Sequence, residues 1–88
     1  MDSNDPVEIY LKALGAELRE RRRWRGKTQA ELGVELGLSA YAVGEMERGK
    51  TTNLRTILAY AYALEADPAQ LVARAQEIAH RERDGAES

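Results

Sequence analysis

The chain has 88 residues, no cysteine and a formal net charge of −2. This length fits one small domain, the lack of cysteine excludes disulfides and thiolate metal sites, and no apolar run approaches the about 20 residues of a membrane span. The acidic N-terminus lacks signal-peptide character, so we expect a soluble, cytoplasmic protein whose thin core favours dimerisation.

The first predicted helix begins at Asp5-Pro6, because Asp is a good N-cap and Pro suits the first helical position. Gly26 is the expected stop at its end. Gly15 is the one potential breaker in between, so the pattern fits either a single long helix or two helices joined near Leu14-Gly15. The leucines that form its apolar face recur at spacings of three and four: Leu11, Leu14 and Leu18.

A basic run crosses the end of this helix, from Arg19 to Lys27, with six basic residues and one acid. The net charge of the whole chain argues against a strong nucleic-acid binder. A local basic patch can still hold phosphates in a protein of negative net charge. Alternatively, the arginines only complement the negative end of the helix dipole.

Two short helices follow, separated by a tight turn. Thr28-Gln29-Ala30-Glu31 has the pattern of a capping box, which predicts the start of helix 2. Gly37 is the expected stop of helix 2, Ser39 the N-cap of helix 3, and Gly49 its stop. This arrangement predicts a helix-turn-helix.

Helices 4 and 5 complete the predicted chain. Asn53 is the expected cap of helix 4, on which Tyr60 and Tyr62 must point to different sides, so we expect one in the core and one exposed, the latter able to join a dimer interface with helix 5. Asp67-Pro68 begins helix 5, which we expect to end near His80. A last-turn dipole role suits that histidine better than a metal site. The charged residues beyond it are expected to fray.

The stretch LGAELRERRRWRGKTQAELGVELGLS, followed by MERGK, resembles the λ-repressor/Cro-like (XRE) helix-turn-helix family from Leu14 to Val72. The resemblance implies an all-α fold, a compact five-helix λ-repressor-like DNA-binding domain over residues 14–72. Residues 1–13 are then an N-terminal helical extension, and residues 73–88 the end of helix 5 with a charged flexible tail. In that family the domain binds operator DNA, usually as a dimer, with helix 3 in the major groove.

The resemblance also implies roles for single residues. Arg22 and Glu47 match a mostly buried ion pair between helix 1 and the end of helix 3. Gln29 matches a residue that meets a phosphate or a base, and Lys50 and Arg55 match positions that hold the phosphate backbone. The residues expected at double-stranded DNA are Thr28, Gln29, Ser39, Ala40, Tyr41, Gly44, Glu45, Lys50 and Arg55.

Helix 3 departs from that family on the side that would face the bases. Ala40 can only touch a thymine methyl, and Tyr41 can donate one hydrogen bond or stack. Glu45 can accept from cytosine N4 but repels a polyanion. Gly44 adds flexibility and costs about 1 kcal/mol of helix propensity relative to Ala.

Lys27 and Arg21 depart from the family as well, since its members usually carry apolar residues there. We expect Trp24 to pack near Lys27 and to cover part of that gap. The fluorescence of Trp24 tests this expectation, because a fully water-exposed emission contradicts it.

Two functions therefore stay open. The first is a sequence-specific DNA-binding transcriptional regulator, a repressor acting as a dimer. The second is a protein-interaction module on the same fold that binds another regulator, as an anti-repressor, anti-activator or antitoxin-like protein does. The acidic net charge, Glu45 and the apolar residues in DPVEIYLKAL favour the second, although that segment can also be the dimerisation element. No catalytic motif, cofactor site or metal site is recognisable, so we expect no enzyme.

Overall fold

The computed structural model describes residues 5–50 and 53–87, with side chains described as far as residue 82. These residues form five helices and no strand, which confirms the all-α fold class. Residues 1–4 of the expected extension and the last residue of the expected tail lie outside the described residues. The helices are α1 (Pro6–Trp24), α2 (Gln29–Leu36), α3 (Ala40–Glu47), α4 (Leu54–Ala63) and α5 (Pro68–Glu87).

Helix α1 is one continuous helix, which decides between the two possibilities left open by the sequence. The Asp5 side chain caps it by accepting a hydrogen bond from the Val7 amide at 3.0 Å. Gly15 does not break it. A Cβ atom added there would lie 2.5 Å from the Glu47 carbonyl oxygen and 2.7 Å from that of Met46, so Gly15 is the point at which α1 and α3 touch backbone to backbone. The expected boundary between residues 13 and 14 falls inside this helix.

The caps of α2 and α3 follow the sequence pattern. The Glu31 amide donates to the Thr28 hydroxyl at 3.0 Å, and the Glu31 carboxylate accepts from the Thr28 amide at 2.9 Å, which completes the capping box. Gly37 ends α2 in the left-handed region at φ 70°, where glycine has no steric penalty. The Ser39 hydroxyl then accepts from the Ala42 amide at 3.0 Å and starts α3.

The main core lies where all five helices meet, and a smaller cluster joins the first half of α1 to α5. In the second cluster, Ile9 and Tyr10 pack against Ala75 and Ala79. The apolar residues of the N-terminal segment are therefore largely used inside the domain, which weakens their support for a protein partner. The largest fully buried side chains of the main core are Tyr60, Leu18, Leu32, Leu64, Leu71 and Val43.

Helix α5 is longer than the sequence predicted, since it continues to Glu87. His80 therefore lies within the helix and not in its last turn. Its Nε2 atom lies 3.1 Å from the hydroxyl of Tyr10, in an edge-on ring contact, so the histidine joins α5 to α1.

The aromatic residues confirm one expectation from the sequence and contradict another. Tyr60 is fully buried and Tyr62 is 87 % exposed, which confirms that one of the two lies in the core. Trp24 is 82 % exposed, so the expectation that it packs near Lys27 is wrong. The lysine instead folds toward Glu35 on α2, with both carboxylate oxygens 2.9 Å from its Nζ.

Neither a membrane span nor a metal-binding group is present in the described part of the chain. No helix there is both long and apolar enough to cross a bilayer. The described His, Asp and Glu side chains form no group of three that could hold a metal ion.

Candidate nucleic-acid interface

The outer face of α3 consists of Ala40, Tyr41, Gly44 and Glu45, which share one side of the helix because they are spaced three and four apart. Tyr41 is 71 % exposed and Ala40 is half-buried. Gly44 is buried, although its position points outward. Another part of the chain therefore covers the middle of this face.

Arg48 provides that cover. It is the C-cap of α3, and its amide donates to the Gly44 carbonyl at 3.0 Å. Because helical side chains lean toward the N-terminus, residue 48 lies over the turn that begins at residue 44. A Cβ atom added to Gly44 would lie 3.2 Å from Arg48 Nη1 and 3.3 Å from Gln29 Nε2. The guanidinium and the amide thus both rest against the glycine.

Glu45 holds two neighbours on the same face. The Tyr41 hydroxyl donates to Glu45 Oε1 at 2.8 Å, and Arg48 Nη2 donates to Glu45 Oε2 at 3.2 Å. The hydrogen bond from Tyr41, with that from Arg48, lowers the pKa of Glu45, and the carboxylate raises the pKa of Tyr41. The negative charge of Glu45 is therefore balanced by the adjacent Arg48. This pairing reduces the repulsion that an unpaired acid at this position would exert on DNA.

Sequence reasoning missed Arg48, although a signal for it exists. Arg48 belongs to the MERGK stretch that carries the family resemblance, but the resemblance implies no contact for it. Its spacing of four from Gly44 places it on the outer face, since residues i and i+4 lie one above the other. Because residue 44 is a glycine, the space above it is open, and the long side chain of residue 48 can enter it.

Glu47 is the centre of a buried network between α1, α2, α3 and α4. Arg22 donates to it from Nε at 2.7 Å and from Nη2 at 3.1 Å. Gln29 Nε2 donates at 3.1 Å, and the Tyr60 hydroxyl also donates to the carboxylate. Burial on its own would raise the pKa of Glu47, but the hydrogen bonds from Arg22, Tyr60 and Gln29 outweigh it and lower that pKa. The network fixes the start of α2 relative to the end of α3.

Gln29, expected at DNA, is therefore oriented by the protein itself. One N–H of its amide is used by Glu47, and an amide nitrogen carries two such donors. The second donor remains for a phosphate or a base. The hydroxyls of Thr28 and Ser39 accept capping hydrogen bonds, so these two residues are available to DNA chiefly through their hydroxyl protons and backbone.

A shallow basic depression lies where α1 ends and α2 begins. Arg19, Arg23 and Lys27 line it, together with Thr28 and Gln29 at the start of α2. The first turn of a helix presents amides without helical partners and a partial positive charge. Amides and guanidinium groups in this arrangement suit an anion such as a phosphate. Ala40, the first residue of α3, also borders the depression.

The basic run divides into paired and unpaired side chains. Among the described residues, Arg19 and Arg23 form no ion pair, and both are exposed. These two are the cations with which the depression can hold an external anion. The paired ones are Arg21 with Glu17, Arg22 with Glu47, Arg25 with Glu65 and Lys27 with Glu35.

Lys50 follows the C-terminal end of α3, and Arg55 lines a depression between α2 and α4 with Glu35 and Leu36. The side chains of Lys50 and Arg55 are both exposed. The Lys50 amide donates to the Glu45 carbonyl at 3.0 Å, which fixes the backbone just after α3. Arg55 lies in the first turn of α4. Exposed cations are thus present after α3 and at the start of α4, as well as in the basic depression.

Solved structures similar to this chain include regulators. The crystal structure of the clp gene regulator ClgR from Corynebacterium glutamicum is 28 % identical over 89 % of this chain and 84 % of its own, with a TM-score of 0.82. The restriction-modification controller protein C.AhdI from Aeromonas hydrophila is 39 % identical over 69 % of this chain and 94 % of its own, with a TM-score of 0.64. No curated protein sequence matches the chain.

The similarity extends to sequence families. Residues 13–74 match the helix-turn-helix domain family, and this range contains the tight turn between α2 and α3 and the network around Glu47. The chain therefore belongs to the helix-turn-helix domain family, in the λ-repressor/Cro-like (XRE) form found in DNA-binding regulators.

Proposed function

We propose that the protein is a sequence-specific DNA-binding transcriptional regulator that acts as a dimer and represses its target genes. The observation that carries the proposal is the basic depression at the start of α2, which lies directly beside the outer face of α3. A phosphate in this depression brings the outer face to the edges of the bases, because phosphate contacts fix the orientation of a helix in the major groove.

The charges around α3 support this placement. Arg19 and Arg23 line the basic depression beside Ala40, and exposed Lys50 and Arg55 follow α3 and lie in the first turn of α4. Exposed cations at these positions can neutralise phosphates of the DNA backbone. The negative net charge of the whole chain predicts binding that is weak and sensitive to salt, since few phosphates are neutralised.

A protein partner is the alternative, and one observation favours it. A mostly apolar groove runs between α3 and α4 beside the exposed Tyr41, with Leu38, Ala42 and Met46 in its wall. Exposed tyrosines next to apolar grooves are common in protein interfaces. A regulator that receives a side chain of another protein there would have its outer face covered by that protein and not by DNA.

Binding to a random library of duplex DNA separates the two functions. At about 50 mM salt the protein should select one sequence, and its affinity should fall steeply at about 200 mM. Neutralising Lys50 or Arg55 to Ala should reduce the slope of log affinity against log salt by about 1 without changing the selected sequence, as expected of phosphate contacts.

Arg74→Ala is the matched control for this experiment. Arg74 is an exposed residue of α5 paired with Glu77, so its loss changes the net charge equally but should leave the salt slope unchanged. Failure of the wild-type protein to select any sequence at low salt would favour the protein partner.

A further inference from the structure

The outer face of α3 presents a problem for sequence-specific binding. Between Ser39 and Glu47 the chain has no Arg, Lys, Asn or Gln, and these are the side chains that make bidentate contacts with guanine and adenine. A helix of this composition would be a poor reader of bases if only its own turns were counted.

Arg48 enters this face from the C-terminal end of the helix. Its guanidinium rests against Gly44 beside the amide of Gln29, and half of the side chain remains exposed. Any larger residue at position 44 would compete for this space. Gly44 contributes no side chain to the outer face, and this absence gives the Arg48 side chain the space to lie there.

The guanidinium is held in place and keeps donors for a ligand. One Nη2 donor is used by Glu45 Oε2 at 3.2 Å, and arginine carries five N–H donors in a planar fork. The other oxygen of Glu45 is occupied by the Tyr41 hydroxyl at 2.8 Å. Glu45 is thus oriented from one side by Tyr41 and orients Arg48 on the other.

We propose that Arg48 is the principal base-reading residue of this protein, that it recognises guanine through O6 and N7, and that Glu45 is a positioning residue for it. The inference rests on the proposed function, since it names what the outer face reads in DNA. Guanine follows from the chemistry, because its major-groove edge offers two adjacent acceptors to a guanidinium fork. The position of the guanidinium in the middle of the outer face favours a base over a flanking phosphate.

The experiment measures the sequence selected from a duplex library by Arg48→Ala and by Arg55→Ala. Both variants lose one positive charge from an exposed side chain, so both should bind more weakly. The Arg48→Ala variant should also lose its preference for guanine at one position of each half-site by about 5- to 100-fold. Arg55→Ala should keep the wild-type preference at every position.

Two further variants test the role of Glu45. Glu45→Ala should reduce the same guanine preference, while Glu45→Gln, which retains an acceptor for Arg48, should preserve it and bind all DNA more tightly. A change at a cytosine in Glu45→Gln would instead assign base reading to Glu45 and overturn the proposal. Circular dichroism at the working temperature checks that each variant is folded.

The outcomes of these experiments distinguish a failure of the role proposed for Arg48 from a failure of the proposed DNA-binding function. A wild-type protein that selects a sequence, with an Arg48→Ala variant that selects the same one, leaves the proposed function in place and overturns the role of Arg48. A wild-type protein that selects no sequence overturns both.

Discussion

At the scale of single residues, Glu47 carries the most interactions. It is 6 % exposed, and three side chains donate to it from three different helices. A buried ion pair gives little net stability, because desolvation offsets its Coulomb energy, but removing one partner leaves the other charge buried and unpaired. The value of this network therefore lies in holding Gln29 and α3 at fixed positions.

The Glu47→Gln variant should lose about 3–5 kcal/mol of unfolding free energy at neutral pH, because Arg22 is left as an uncompensated buried charge. The folded-state pKa of Glu47 is lowered, so its stabilisation is present above the unfolded pKa of about 4.3 and is lost as the pH falls through the folded value. Urea unfolding at a series of pH values measures both effects, and the variant should show the flatter acid limb.

The exposed pair of Arg74 and Glu77 provides the control for this prediction. Their side chains are 50 % and 63 % exposed, and surface ion pairs contribute about 0–1 kcal/mol. Glu77→Gln should therefore unfold much like the wild-type protein. An equal loss in both glutamine variants would contradict a special role for the Glu47 network.

At the scale of helices, the start of each element could be predicted because capping is local. Thr28, Ser39 and Asn53 each accept from an amide three residues ahead, and that geometry depends on a few neighbouring residues. The exposure of Trp24 and the contact of Arg48 beside Gln29 could not be predicted equally well, although the spacing of Arg48 from Gly44 indicates its side of the helix. They depend on which side chains other helices bring near, such as Glu35 for Lys27 and Gln29 beside Gly44.

Gly15 and Gly44 show how contacts between helices decide the effect of the same substitution. Alanine is the better helix former by about 1 kcal/mol at either position. At Gly15 the new Cβ would overlap the backbone of α3, so Gly15→Ala should destabilise the protein by about 1–3 kcal/mol, the usual cost of overpacking. At Gly44 it would meet Arg48 Nη1 at 3.2 Å and Gln29 Nε2 at 3.3 Å, and these side-chain ends have to shift by only a few tenths of an ångström.

Gly44→Ala should therefore unfold at the same temperature as the wild-type protein or a few degrees higher, in contrast to Gly15→Ala. Thermal unfolding followed by circular dichroism measures whether each variant unfolds at a higher or a lower temperature than the wild-type protein. A stabilised Gly15→Ala variant would show that α1 and α3 do not touch as closely as the structure has them.

At the scale of the whole molecule, one apolar surface is not explained by the core. The α4 stripe consists of Leu54, Leu58 and Tyr62, which are 70 %, 44 % and 87 % exposed and lie on one side of the helix at spacings of four. We propose that a second copy of the chain covers this stripe, and that this contact forms the dimer of the proposed function.

Tyr62→Glu should convert the dimer to a monomer in sedimentation equilibrium, because the stripe would then bury a charge without a partner. Val7→Glu is its matched control, since Val7 is 65 % exposed on the N-terminal segment that is the other candidate dimerisation element. In DNA binding, Tyr62→Glu should lose affinity for a site with two half-sites about one helical turn apart while keeping its affinity for a single half-site. Dissociation by Val7→Glu alone would instead assign the interface to the N-terminal segment, because only that variant places a charge there.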